Sequence, residues 1–351
     1  MTTVRKPPTT PVRPAHRFDE ARLRDYIHQT LGLSGDIVVE QFEGGQSNPT
    51  YLVTMGGERM VLRRKPPGTL LPSAHAVDRE YRVISGLAGS DVPVATPLAM
   101  CEDESVIGTI FYLMQYVEGR IWWDPRLPEL SVAEREAVFD EMNRVIAALH
   151  RVDYQAAGLG DYGKTGQYIE RQIGRWTKQY LAAETQPIEE MHRLIEWLPK
   201  HMPADEASSI VHGDFRLDNM IFHPAEPRVL AVLDWELSTL GHPLVDFAYH
   251  AMTWRVPAKL LRGLAGADLA ALGIPSEQAY VARYCERTGR SGGIEGWDYY
   301  IAFNLFRLAS IVQGIAKRAE QGNAASAAAV EMGQKARPLA MLAWAQAQQV
   351  A

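Results

Sequence analysis

The sequence predicts an α+β protein in two parts, a small antiparallel sheet with one helix and then a larger, mostly helical region. Three observations lead there. From Asp36 to Lys65, Val, Ile, Thr and Tyr alternate around turn residues, the period of half-buried strands. After Gly119 the long segments instead repeat their apolar residues at helical spacing. The chain has 351 residues, enough to build more than one core.

Taken in order, residues 1–16, "MTTVRKPPTTPVRPAH", are rich in Pro and Thr and read as a flexible tail. "DIVVEQF", "TYLVT" and "RMVLRRK" then read as strands, the last two joined through "MGGE" as a hairpin. "SAHAVDREYRVISGL" reads as one helix, with Ser73 available as its cap and Val77, Tyr81, Ile84 and Leu87 on one face. "GTIFYLMQYVEG" returns to strand. The division falls near residues 117–120, giving a first lobe over 17–117 and a helical lobe over 118–351. In the second lobe Ser131 and Glu134 form a capping box ahead of a stripe through Val138, Met142, Ile146 and Leu149. Helices are expected at about 166–185 and 187–201, with Pro187 in the first turn of the latter. "WDYYIAFNLFRLASIVQGIAKRAE" reads as a long helix and "NAASAAAV" as a further helical stretch.

Composition narrows the function. The formal net charge is -6, and no block of Lys or Arg marks a surface for nucleic acid or an anionic membrane. Cys101 and Cys285 are the only cysteines, so no disulfide framework or thiolate metal site is expected. With no signal-like N-terminus and no apolar run of membrane-spanning length, a protein of the reducing cytoplasm is expected.

One stretch stands apart. In "IVHGDFRLDNMIF", residues 210–222, two short apolar runs flank a polar knot, the pattern of a loop held at the edge of a core. Asn219 lies five residues after Asp214, and Asp234 closes the apolar "RVLAVLD" fifteen residues further on. If "MIFH" and "RVLAVLD" pair across "PAEP", Asn219 and Asp234 meet at one end of the hairpin. Two oxygen donors so placed suit a hard cation such as Mg²⁺, and Asp214 remains as a base.

This arrangement resembles the catalytic loop and metal-binding Asp of the protein-kinase fold. With "HGD" it is similar to the aminoglycoside phosphotransferase and choline kinase branch, which phosphorylates small molecules. "LRRKPPG" followed by "LLPSAHAVDREYRV" resembles the subgroup found fused to some acyl-CoA dehydrogenases. The resemblance spans roughly residues 40–250 and implies a two-lobed kinase-like fold that uses ATP and Mg²⁺. It implies that Gly44, Gly45, Gln46, Ser47 and Asn48 form the phosphate-covering turn, that Arg63 stands where the family has Lys, and that Glu80 pairs with it. Gln115 and Val117 fall at the adenine-binding hinge. Asp214 becomes the base, Arg216 the cation that meets the transferring phosphoryl group, and Asn219 and Asp234 the metal ligands.

Strand alternation places Val61 and Arg63 on one face and Arg64 on the other. His212 and Asp246 read as structural supports of the loop, and Glu236 as either a metal support or a structural acid. The expected activity is transfer to a small-molecule hydroxyl, with hydroxyacyl-CoA favoured over an aminoglycoside or another metabolite alcohol. The sign of charge from Arg255 to Arg318, nine basic residues against five acidic, leans towards an anionic acceptor. The competing reading, a nucleotide binder without turnover, is suggested by the missing Lys.

Overall fold

The alternation in the first third of the chain produces a six-stranded antiparallel sheet in the order β1-β2-β3-β4-β6-β5. The strands are β1 (Thr9–Pro11), β2 (Ile37–Phe42), β3 (Thr50–Met55), β4 (Glu58–Arg64), β5 (Pro97–Cys101) and β6 (Phe111–Gln115). This computed structural model describes residues 9–43, 48–66, 76–204, 206–321 and 327–350. The described chain gathers into two units. The first runs to Ile121 and includes Tyr154–Tyr162 and Asp218–Ser238, and the second takes Trp122–Asp153, Gly163–Leu217 and the chain from Thr239.

In the first unit, β3 and β4 are joined by Gly56 and Gly57, with φ of 61° and 87°. A two-residue turn that matches the strand twist needs positive φ at both positions, which is why two glycines stand there. One face of the sheet presents Tyr51, Val53, Met55, Met60, Leu62, Phe111 and Leu113. They pack on Leu23 and Ile27 of α1 (Glu20–Leu31). Asp19 caps α1 by accepting from the N–H groups of Ala21 and Arg22, and Gly32 ends it in the left-handed conformation. The other face meets α2 (Val77–Leu87), which buries Val77, Glu80, Val83, Ile84 and Leu87.

Two distant segments complete this unit. Arg79 donates to Tyr162 O at 2.7 Å and its guanidinium stacks on that ring, while the Tyr162 and Ser238 hydroxyls bond at 2.7 Å. The short hairpin β8 (Met220–Phe222) with β9 (Val229–Val232) is tied in through Val232 N–H to Pro93 O, 2.9 Å, and through Arg120 paired with Phe222. Gly119 is required at that junction, because a Cβ there would sit 2.2 Å from Phe222 O.

The second unit is helical. Its elements are α3 (Val132–Arg151), α4 (Tyr168–Ala183), α5 (Glu189–Trp197), α6 (Pro243–Ala251), α7 (Leu269–Leu272), α8 (Glu277–Thr288), α9 (Trp297–Glu320), α10 (Ala327–Gly333) and α11 (Ala336–Ala347). β7 (Ser209–Val211) and β10 (Thr239–Gly241) add one antiparallel pair. The Ser131/Glu134 capping box opens α3 as the sequence predicts. α9 is buried along most of its length and packs on α4, α6 and α11.

Some expectations need correction. Residues 9–11 of the assigned tail pair with Glu40–Phe42 as an edge strand, and the Gln41 side chain accepts from Arg13 N–H at 3.1 Å. Edge strands tolerate proline, so a Pro-rich stretch is no bar to pairing. The cut near residue 117 does not follow the units, because 154–162 and 218–238 belong with the sheet. Pro187 precedes the first residue of α5 by two positions rather than lying in its first turn. Ser73 lies outside the described residues.

The core of the second unit holds a histidine that stays neutral. His250 is buried on α6, 2.8 Å from the Tyr280 hydroxyl, and burial pulls its pKa down to about 4. A depressed histidine contributes stability that is present above the unfolded value near 6.5 and is lost as pH falls towards 4. We expect stability to drop by up to about 3 kcal/mol from this group over that window. Urea denaturation at several pH values should show a shallower decline in His250→Gln than in the native chain, and parallel curves would contradict the assignment.

Candidate active site

Because β4 alternates, Arg63 and Arg64 leave the strand on opposite faces. Arg63 points to the α2 side and is buried among acids. Its Nε lies 2.9 Å from Glu80 Oε2, and its Nη2 lies 2.7 Å from Asp234 Oδ1 and 3.4 Å from Glu236 Oε2. The Nε–H is poorly aligned on Glu80, so that contact is an ion pair more than a hydrogen bond. Glu80 also accepts from Asn48 Nδ2 at 2.8 Å and from the Tyr112 hydroxyl at 3.2 Å. Burial disfavours the charge on Arg63, and Glu80, Tyr112, Asp234 and Glu236 more than restore it. Glu80 rises to about 7, because burial and its two fellow carboxylates outweigh the one guanidinium they share.

The hairpin sets the second half of this cluster. Met220 pairs with Val232, and Leu233 N–H donates to Asn219 O at 2.8 Å, so Asn219 and Asp234 sit at the same end of the two strands. Asp234 has φ 65° and ψ 58°, a left-handed conformation uncommon outside glycine. Such strain is often kept where a side chain must be aimed.

Arg63, Asn219 and Asp234 all line one cavity of about 280 Å³ in the first unit. Its wall is mainly apolar and includes Phe42, Val61, Met114, Val117, Ile221 and Val232. Gln115 and Val117 also line it, but the Gln115 side chain is held by Thr96 Oγ1 at 2.9 Å. Gly44, Gly45, Gln46 and Ser47 lie outside the described residues. The Asn48 side chain is buried against Glu80.

Asp214 belongs to the second unit. Its Oδ1 accepts from the Tyr249 hydroxyl at 2.7 Å and lies 3.0 Å from Arg216 Nε. The loop beneath it is fixed from three sides. Asp246 accepts from the N–H groups of His212 and Gly213, both at 2.8 Å, and lies 3.2 Å from His150 Nε2. Burial pushes the Asp246 carboxyl up, and the His150 and His212 contacts outweigh it and hold it below the usual range. His212 Nδ1 accepts from Asp214 N–H at 3.2 Å, a structural role. Gly213, at φ 83°, offers its carbonyl to Arg307 Nη2 at 2.7 Å.

Among the expected residues, Arg63, Glu80, Asn219, Asp234, Gln115 and Val117 share the first unit, and Asp214 and Arg216 pair in the second. Sequence reasoning missed Tyr112, Tyr249 and Arg307. Tyr249 follows Asp246 by three residues on one helix, so the two share a face. Arg307 is a lone charge inside the apolar run "IAFNLFRLASIV", a signal of a buried cation with a task.

The sequence pattern of the Phosphotransferase enzyme family matches residues 38–284. The chain belongs to this family. A solved structure from Ralstonia eutropha, named for the aminoglycoside phosphotransferases, is 55% identical. It superposes with a TM-score of 0.89 over 95% of this chain and 100% of its own. Aminoglycoside phosphotransferase APH(4)-Ia, solved with AMP-PNP and hygromycin B, is 15% identical with a TM-score of 0.60 over 92% of this chain and 98% of its own. At that identity it shows the shared fold, the two-lobed kinase-like fold also found in choline kinase. Mouse acyl-CoA dehydrogenase family member 10 is 48% identical over 342 residues, 96% of this chain. The chain spans 32% of that relative's length.

Arg64 is the contrasting neighbour. It is buried on the α1 side, donating to the Tyr51 hydroxyl at 3.1 Å and to His16 O at 2.9 Å, with Phe18 and Tyr51 stacked near it. Arg64→Ala should cost about 3 kcal/mol of stability, through lost packing and charge-assisted hydrogen bonds. Arg63→Ala should weaken nucleotide binding instead. Denaturation and nucleotide titration of both variants check this, and a stable Arg64→Ala protein with impaired nucleotide binding would reverse the two assignments.

Proposed function

We propose that this chain transfers the γ-phosphoryl group of ATP to the hydroxyl of a small molecule with the aid of Mg²⁺. The observation that carries the reading is the buried Arg63, ion-paired at once with Glu80 and Asp234 beside an apolar cavity. An apolar wall of that size suits a purine base, and a guanidinium with a forked donor set suits phosphate oxygens. Asn219 and Asp234 supply an amide and a carboxylate oxygen, the hard donors that Mg²⁺ takes together with substrate phosphates. When bound there the ion would neutralise phosphate charge.

In this mechanism the acceptor oxygen attacks the γ-phosphorus, the bond to the β-bridging oxygen breaks, and its electron pair leaves with ADP. The hydroxyl proton passes to Asp214. Arg216 and Arg63 balance the charge spread over the equatorial oxygens. The second reading, binding without turnover, is favoured by the hold that Asp234 already has on Arg63. The assay below separates the two.

For the acceptor we propose a hydroxylated acyl-CoA. Support comes from the relative named as an acyl-CoA dehydrogenase, of which this chain matches one part. The basic excess between Arg255 and Arg318 lends less support than its sign suggests. Arg255 pairs with Glu277 and Asp298, and Arg283 and Arg287 both pair with Asp140 outside that window. An aminoglycoside, named for two solved relatives, is the alternative acceptor.

The test is transfer from radiolabelled Mg²⁺-ATP to 3-hydroxybutyryl-CoA and to kanamycin. The thioester should be labelled, and Asp214→Asn should lose roughly 10²- to 10⁴-fold in kcat while still binding nucleotide. Labelling of kanamycin alone would replace the acceptor, full activity of Asp214→Asn would remove the base, and nucleotide binding without any transfer would favour the inert binder.

A further inference from the structure

Asp214 is gripped on one oxygen by two very different donors. Arg216 reaches Oδ1 from a side chain that is 46% exposed, so its hold is exchangeable with water. Tyr249 reaches the same oxygen from the interior, at 2.7 Å, with only 7% of its surface exposed. That bond to Asp214 is what the Tyr249 hydroxyl does in this fold. A phenylalanine would fill the same space without it.

Behind the ring stands Arg307. Its guanidinium lies 4.9 Å from the centre of the Tyr249 ring and 5.6 Å from that of Trp176, and its Nη2 holds Gly213 O. No carboxylate pairs with it among the described residues, and its buried Nε has no partner. A buried cation without a counter-ion is costly unless something nearby uses its charge. Gly213 and Tyr249 are the two neighbours of Asp214 that Arg307 touches, one along the chain and one through the phenol.

We propose that Tyr249 is a positioning residue that fixes the rotation of the Asp214 carboxylate for proton transfer from the acceptor, with Arg307 bracing both the phenol and the Gly213 carbonyl. Pinning Oδ1 sets the plane of the carboxylate about its single bond to Cβ, so the proton-accepting lone pair is aimed before substrate arrives. The Tyr249 phenol is held well above its usual pKa by burial and by the Asp214 charge, so it remains a donor. The inference rests on Asp214 being the base, as proposed above.

The test is a cycle of Tyr249→Phe, Asp214→Asn and the double variant. Steady-state transfer from Mg²⁺-ATP is measured with whichever of 3-hydroxybutyryl-CoA, kanamycin or water gives the fastest turnover. Tyr249→Phe should lower kcat by about 10- to 100-fold and leave KM for nucleotide and acceptor within about twofold, the mark of an interaction used only in the transition state. It should have no further effect in the Asp214→Asn background. An unchanged kcat, or the same loss on both backgrounds, would overturn the positioning role while leaving Asp214 as the base. Full activity of Asp214→Asn, or no turnover with any acceptor including water, would overturn the underlying reading and this inference with it.

Discussion

Everything around the cavity of the first unit answers to one buried guanidinium. A charge taken out of water must be met by opposite charge and by hydrogen bonds, and Arg63 is met by three acids from three places in the chain. Glu80 comes from α2, Asp234 from the end of the short hairpin, and Glu236 from the turn after it. Lysine would offer a single point of charge. Arginine offers a planar fork whose Nε and Nη2 reach Glu80 and Asp234 at the same time. Arginine at this position therefore shapes how the site is held as well as supplying its charge. Asp234 is a counter-ion of Arg63, and the same carboxylate is the one we propose as a metal ligand.

That shared pairing explains the rest of the local construction. One cation shared among three carboxylates leaves the most buried of them short of compensation, and Glu80 accordingly lies far above an ordinary carboxyl. Asn48 and Tyr112 supply the donors it still needs. The left-handed backbone at Asp234 aims its carboxylate back at the strand that carries Arg63. In the second unit a related problem has a different solution. Asp246 is wholly buried, yet two backbone N–H groups and a histidine keep it charged, and through them it fixes the loop that carries Asp214.

Much of this was legible in the residues. Period-two alternation gave β2, β3 and β4, the capping box gave the start of α3, and an unbroken apolar pattern gave α9. What escaped had weak local signals. α1 buries only Leu23 and Ile27, too sparse a stripe to stand out. β1 is three residues of Thr and Pro whose pairing is decided by β2, thirty residues away. The discontinuous first unit was hidden for the same reason, since Arg79 with Tyr162 and Val232 with Pro93 are contacts between distant segments. In the site, the Asp214, Asn219 and Asp234 spacing and the opposite faces of Arg63 and Arg64 could be read directly. The bond from the Asn48 side chain to Glu80 spans 32 residues and had no local signal. Tyr249 bonds Asp214 across 35 residues and Arg307 holds the Gly213 carbonyl across 94, distances no local pattern spans.

The central claim is that the carboxylate now paired with Arg63 is the one that takes the metal when nucleotide binds. Titration calorimetry of AMP-PNP with and without Mg²⁺, on the native chain and on Asp234→Ala, tests it most directly. The account predicts that Mg²⁺ tightens binding to the native chain by at least about tenfold, a coupling of roughly 1.4 kcal/mol, and that Asp234→Ala loses this dependence. Equal affinity of the native chain with and without Mg²⁺, or an undiminished metal effect in Asp234→Ala, would contradict it.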